Sequence, residues 1–256
     1  MKLLNFMIVG VQKSGTTALS HFLAQHPEIA MAEGKEVHLF DAQDYENTWD
    51  HKRIQDYYAP FFSSANNAQV YAEATPIYCY WPEIAEQLHR YNPALKLILV
   101  LRDPVARALS HYAMERGRGN ESLPLWLALL LEPLRLIFSN NRVANSSSRC
   151  HSYTDRGFYS QQITNLLHYF TPEQLLIIDN TELLGQHHAT MTKVLRFLAV
   201  DENYTAEQEQ IFAGDYSKQS HKLCAAYLRW RFKRANRQLK SQLFAMGYSP
   251  TWPWLG

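Results

Sequence analysis

The stretch Gly10-Val-Gln-Lys-Ser-Gly-Thr-Thr17 follows an apolar run and opens a helical pattern. Two glycines at this spacing let a backbone come close to an anion. The free amides at the start of a helix from Thr16 would point at that anion. The usual nucleotide loop, G-x-x-x-x-G-K-[ST], puts its lysine after the second glycine and its hydroxyl on Mg²⁺. Here Gly10 and Gly15 keep the spacing, position 16 is threonine, and the lysine stands at 13, inside the loop. A lysine there would sit over the outer end of a 5′-phosphate group. That is where a bridging oxygen gains charge as a group leaves. Thr16 and Thr17 can add hydroxyl donors. The competing interpretation of the same residues is a tight turn before a capped helix.

The elements that must hold this loop alternate along the chain. Short apolar runs at Leu3–Val9, Gln69–Glu73, Lys96–Leu101 and Leu175–Asp179 predict strands buried on both faces. Helical patterns cover Thr16–Gln25, Pro82–Tyr91, Pro104–Arg116, Phe158–Phe170 and His188–Leu198. The alternation predicts an α/β fold with a mostly parallel sheet between helices, taken as a single domain over 1–256. Such sheets bind ligands at the carboxyl ends of their strands. The stretches Gly10–Thr17, Glu73–Pro76 and Arg102–Pro104 fall at those ends. Residues 117–156 are less regular: a leucine-rich helix, expected to break at Pro133, precedes a polar loop. That helix is expected either to cap the core or to wall an acceptor site.

The composition is that of a globular enzyme, with 256 residues, 46% hydrophobic and 19% charged. The apolar Leu3–Val9 run is too short to span a membrane and no cleavage site follows it, so no secretory signal is expected. Cys79, Cys150 and Cys224 show neither metal spacing nor a disulfide framework. No metal is expected, and a reducing cytoplasm is the expected setting. Net charge is +1 but uneven. Eight Lys/Arg and no Asp/Glu lie from Tyr216 to Gly256, leaving seventeen basic against twenty-four acidic residues elsewhere.

The motifs together resemble the sulfotransferases that use 3′-phosphoadenosine 5′-phosphosulfate (PAPS), closest to the heparan-sulfate type. "VQKSGTT" is similar to that family's first loop. His26-Pro27 and "GKEVHLFD" (Gly34–Asp41) follow in the family's order. "EATPIY" (Glu73–Tyr78), "LRDPVARALSHY" (Leu101–Tyr112) and "RGFY" (Arg156–Tyr159) complete the resemblance. It covers about residues 5 to 200, and it implies a P-loop-type nucleotide-binding fold.

The resemblance implies in-line sulfuryl transfer to a hydroxyl or amine, leaving adenosine 3′,5′-bisphosphate (PAP). It makes Lys13 the stabiliser of the leaving oxygen and gives the 5′-phosphate to Ser14, Gly15, Thr16 and Thr17. Arg102 and Ser110 match the 3′-phosphate ligands, and Tyr159 joins the cofactor set. An arginine fork suits a phosphate. Glu36 is the candidate general base, tuned by Lys35 or His38, and His38 is the alternative base. Two departures stand out. The family lysine before "TP" is Ala74 here. The late cofactor loop is unclear, with Lys218 and Lys222 as stand-ins.

The expected acceptor is a carbohydrate, glycolipid or small alcohol. An acidic body with a short basic tail argues against nucleic acid. The tail, with Leu223, Tyr227, Trp230, Leu239 and Leu243 as its apolar stripe, is an amphipathic helix that either docks on the domain or meets an anionic membrane. Two other classes remain open. A P-loop kinase would need the missing lysine, whereas a non-catalytic anion-binding protein would bind PAP without turnover.

Overall fold

The computed structural model describes residues 3–34, 36–63, 68–139, 143–204 and 221–256. Two compact units make up the chain, Met1–Leu101 with Ile163–Phe212 and Arg102–Gln162 with Ala213–Gly256.

In the first unit the apolar runs become five strands: β1 (Phe6–Gly10), β2 (Ile29–Met31), β3 (Val70–Ala74), β4 (Lys96–Leu101) and β5 (Leu175–Asp179). All pairings are parallel and the order is β2-β3-β1-β4-β5. β2 is a three-residue edge strand, too short to show a period, and it was not expected. The helices, numbered along the whole chain, are α1 (Thr16–Ala24), α2 (His51–Tyr58), α3 (Pro82–Tyr91), α4 (Pro104–Gly117), α5 (Leu125–Ile137), α6 (Ser147–Cys150), α7 (Tyr159–Leu167), α8 (Asn180–Gly185), α9 (His187–Leu198) and α10 (Lys222–Ala245). Phe6, Ile8, Ala72, Ile98, Val100 and Ile178 pack against Leu19, Phe22 and Leu23 of α1 and Val194 and Leu195 of α9. The alternate residues Met7, Val9, Leu97, Leu99 and Ile177 are fully buried too, so both sheet faces are covered. That is why these strands read as unbroken apolar runs.

The second unit has its own core. Val105, Ala108 and Tyr112 of α4 meet Leu125, Ala128 and Leu129 of α5, Tyr153, and Leu228 and Phe232 of α10. Two expectations fail in this unit. The leucine-rich helix does not break at Pro133, for α5 runs through it. Pro133 lies on the exposed side of α5, away from its packed face. The tail is the amphipathic helix α10, but its buried face is Leu228, Phe232, Leu239 and Leu243. Leu223, Tyr227 and Trp230 face solvent instead. The physical reason lies at Gly157, where a Cβ would come within 2.5 Å of the Phe232 ring. Lacking a side chain, Gly157 admits Phe232, and that contact sets the rotation of α10.

Candidate active site

The loop from β1 into α1 is shaped by what its glycines lack. A Cβ on Gly10 would meet Cys79 Sγ at 2.2 Å. Gly15 has a φ of 97°, and a Cβ there would lie 2.7 Å from Asn180 Nδ2. Asn180 Nδ2 donates to the Ser14 carbonyl at 2.9 Å, which ties the loop to the start of α8. Lys13 also takes a left-handed φ, 73°. A turn that passes through two left-handed residues presents successive amides to one side, the arrangement that cradles anions.

Gly15 is the N-cap of α1 and provides no side-chain cap, and the first turn of α1 carries no acid. Its first amides are left for another acceptor. The Ser14 hydroxyl is fully buried and has no partner among the described residues. A buried, unpartnered hydroxyl is costly unless a ligand uses it. The loop therefore fits a phosphate group. Thr16 is buried and Thr17 half-buried on the first turn.

A second cluster gathers Glu36 and His38. His38 has a φ of 57° and lies between two carboxylates. Its Nδ1 is 3.0 Å from Asp41 Oδ2 and its Nε2 is 3.1 Å from Glu36 Oε2. Burial pulls the imidazole pKa down. The hydrogen bonds to Asp41 and Glu36 and their charges outweigh that and leave it at about 9. At neutral pH His38 is therefore an imidazolium clasped by Asp41 and Glu36.

This cluster is tied to the end of β3. The His38 amide faces Thr75 Oγ1 at 3.5 Å, and Thr75 Oγ1 donates to Glu73 Oε2 at 3.2 Å. Tyr58 donates to Glu73 Oε1 at 2.9 Å. Burial pushes Glu73 up to about 7, against those two bonds and the His38 charge. β1 and β3 are neighbours, with Ile8 opposite Ala74. The phosphate loop and the Thr75 segment thus leave the carboxyl ends of adjacent parallel strands. Tyr58 and Asn180 were not singled out from the sequence because they lie far from the groups they hold, whereas Asp41 and Thr75 sit inside the quoted motifs but received no role.

In the second unit Arg102 is half-buried just before α4. Tyr159 donates its hydroxyl to the Arg102 carbonyl at 2.8 Å, so it fixes the backbone from which Arg102 projects. Asp103 caps α4 by accepting from the Val105 amide at 3.0 Å, with Pro104 at the first turn. Two turns along α4, Ser110 is buried, and its hydroxyl has no partner among the described residues. Arg156 of the "RGFY" motif is buried and donates to the Ser148 and Arg149 carbonyls, a structural role. Lys222 is exposed at the start of α10. Lys35 and Lys218 lie outside the described residues.

The Sulfotransferase domain family matches residues 4–222. A membrane-associated sulfotransferase, kil1 of Dictyostelium discoideum, is 39% identical over 125 residues, 47% of this chain and 25% of that protein. Heparan sulfate glucosamine 3-O-sulfotransferase 6 of Mus musculus is 31% identical over 199 residues, 76% of this chain and 52% of that protein. The chain thus spans between a quarter and about half of these curated relatives. Among solved structures, a sulfotransferase from Alicyclobacillus acidocaldarius superposes with a TM-score of 0.77 at 24% identity, covering 97% of this chain and all of that one.

Proposed function

We propose that this chain, which belongs to the sulfotransferase family, moves a sulfuryl group from PAPS to a hydroxyl or amine. When bound, PAPS supplies the sulfuryl group: its S–O bond to the 5′-phosphate breaks as the bond to the acceptor forms, and PAP is left.

The observation that carries the reading is the loop at Gly10–Thr17, with its buried unpartnered Ser14 hydroxyl below an uncapped helix start. Ser14, Gly15, Thr16 and Thr17 hold the 5′-phosphate. Lys13 neutralises the charge that grows on the bridging oxygen. Arg102 and Ser110 hold the 3′-phosphate, Tyr159 keeps the Arg102 backbone in place, and Lys218 and Lys222 complete the nucleotide side. Glu36 takes the acceptor proton. Its Oε2 is held by an imidazolium that Asp41 holds from the other side, which aims the carboxylate. His38 is the poorer base, since both ring nitrogens already face carboxylates. It also brings a positive charge beside the Ala74-Thr75 segment, where the resembling family has a lysine.

The acceptor is proposed to be a carbohydrate, glycolipid or small alcohol, in line with the glucosamine named in the mouse relative. The kinase alternative is not favoured, since position 16 is threonine. Cys79, Cys150 and Cys224 are all free thiols, in keeping with a cytoplasmic setting.

The test is transfer of labelled sulfuryl from PAPS to a panel of glycans, glycolipids and alcohols. Lys13→Ala should lower turnover by about 10²- to 10³-fold while PAP still binds. Glu36→Gln should keep PAP affinity and lose transfer. Full turnover in both variants would overturn these roles.

A further inference from the structure

Helix α5 shows an apolar face to solvent. Trp126, Leu130, Leu134 and Ile137 are 60%, 66%, 56% and 73% exposed, and Phe138 just beyond is 83% exposed. Steps of four, four and three place these residues in one stripe. The opposite face, Leu125, Ala128, Leu129 and Glu132, is the one that is buried. Pro133, also exposed, adds no charge to the stripe. Single exposed apolar residues are ordinary, whereas a continuous stripe marks a docking surface.

Charge identifies what docks. Between residues 104 and 154 the carboxylates are Glu115, Glu121 and Glu132, and all three are buried. Glu115 pairs with Arg118, Glu121 pairs with Arg135, and Glu132 accepts from the Thr154 and Asp155 amides. No carboxylate of this span therefore reaches the surface, while Arg116 and Arg118 do; the nearest exposed carboxylate in sequence is Asp155, just beyond it. Helix α10 of the same unit adds seven Lys/Arg and no acid between Lys222 and Lys240. It also exposes its own stripe: Leu223 at 87%, Tyr227 at 41% and Trp230 at 69%. A bare apolar stripe, exposed tryptophans and a surface with more exposed cations than carboxylates are the features of an interfacial helix. A second copy of this chain would oppose positive charge with positive charge.

We propose that the α5 stripe inserts into the surface of a bilayer rich in anionic phospholipid, with α10 and the neighbouring arginines on the headgroups. α5 has 13 residues, which is too short to span. No helix among the described residues is long and apolar enough to cross a membrane. The unit thus lies on the bilayer, and this does not depend on the transfer chemistry.

Flotation of the whole chain with phosphatidylcholine vesicles, with and without phosphatidylglycerol, tests the proposal. The chain should bind the anionic vesicles about tenfold or more tightly than the neutral ones, and added salt should weaken that binding. Leu130→Gln with Leu134→Gln should lower binding about tenfold, because apolar contact is lost without added charge. Arg229→Ala with Arg231→Ala and Lys233→Ala should remove the preference for phosphatidylglycerol. All five positions lie outside the core, and unchanged melting curves will confirm that the variants fold. Failure of the wild-type chain to float, or equal flotation of the Gln variant, would overturn the proposal. A dimer in light scattering that the Gln variant dissociates, without flotation, would overturn it in favour of a second copy over the stripe.

Discussion

Helices α1 and α4 both begin just after a central strand of the sheet, yet their first turns are finished differently. α4 starts on Asp103 and Pro104, and the Asp103 carboxylate takes the Val105 amide. α8 is closed likewise by Asp179. α1 starts on Gly15, has no side-chain cap and no acid in its first turn. Nearby, the Ser14 hydroxyl is buried without a partner among the described residues. Two of these helix starts are satisfied by their own sequence, and one is not. The difference teaches that an anion site is recognised by what the chain withholds as much as by what it supplies.

Gly15→Ala should give the largest effect on this contrast. The new methyl group meets Asn180 Nδ2 at 2.7 Å in a left-handed backbone, which costs on the order of 1–3 kcal/mol. PAP affinity measured by calorimetry should fall at least about tenfold, the loop's amides no longer being held in place. Asp103→Ala should do the reverse. Loss of the α4 cap should lower stability in urea by about 1 kcal/mol and leave the α1 loop intact. Equal effects of the two variants on PAP binding would erase the contrast.

The smallest effect concerns His38. Its folded pKa, about 9, lies above the ordinary 6.5 because Asp41 and Glu36 favour the imidazolium. A raised histidine pKa stabilises the fold fully below the ordinary value, and that contribution is lost as pH rises through the folded one. The melting temperature of the wild type relative to His38→Gln should therefore shrink from about pH 6.5 to about 9. A constant difference across that window would show that the imidazolium is not held this way.

How much of this was legible depends on whether the cause is local. β4 and β5 fall on the residues that their apolar runs predict, since strands buried on both faces leave no alternation to misread. The Gly10–Thr17 loop was legible because its glycine spacing and lysine form a local pattern, although the side chains that require Gly10 and Gly15 to be bare, Cys79 and Asn180, lie far away in sequence. Glu36 and His38 stood out in a motif, but their clasp with Asp41 depends on a left-handed His38, and its link to Thr75 joins segments far apart in sequence. The buried face of α10 was misjudged for the same reason. What turns Phe232 inward is a missing side chain at Gly157, more than seventy residues earlier.

The most direct measurement is a thermal-shift titration with PAP beside ATP plus Mg²⁺, on the wild type and on Thr17→Asp. The substitution places a carboxylate in the first turn of α1, where its charge favours the helix start and repels a phosphate. The account predicts stabilisation of the wild type by PAP but not by ATP–Mg²⁺, and loss of the PAP shift in a Thr17→Asp protein that melts no lower than the wild type. Stabilisation by ATP–Mg²⁺ instead, or an undiminished PAP shift in the variant, would contradict it.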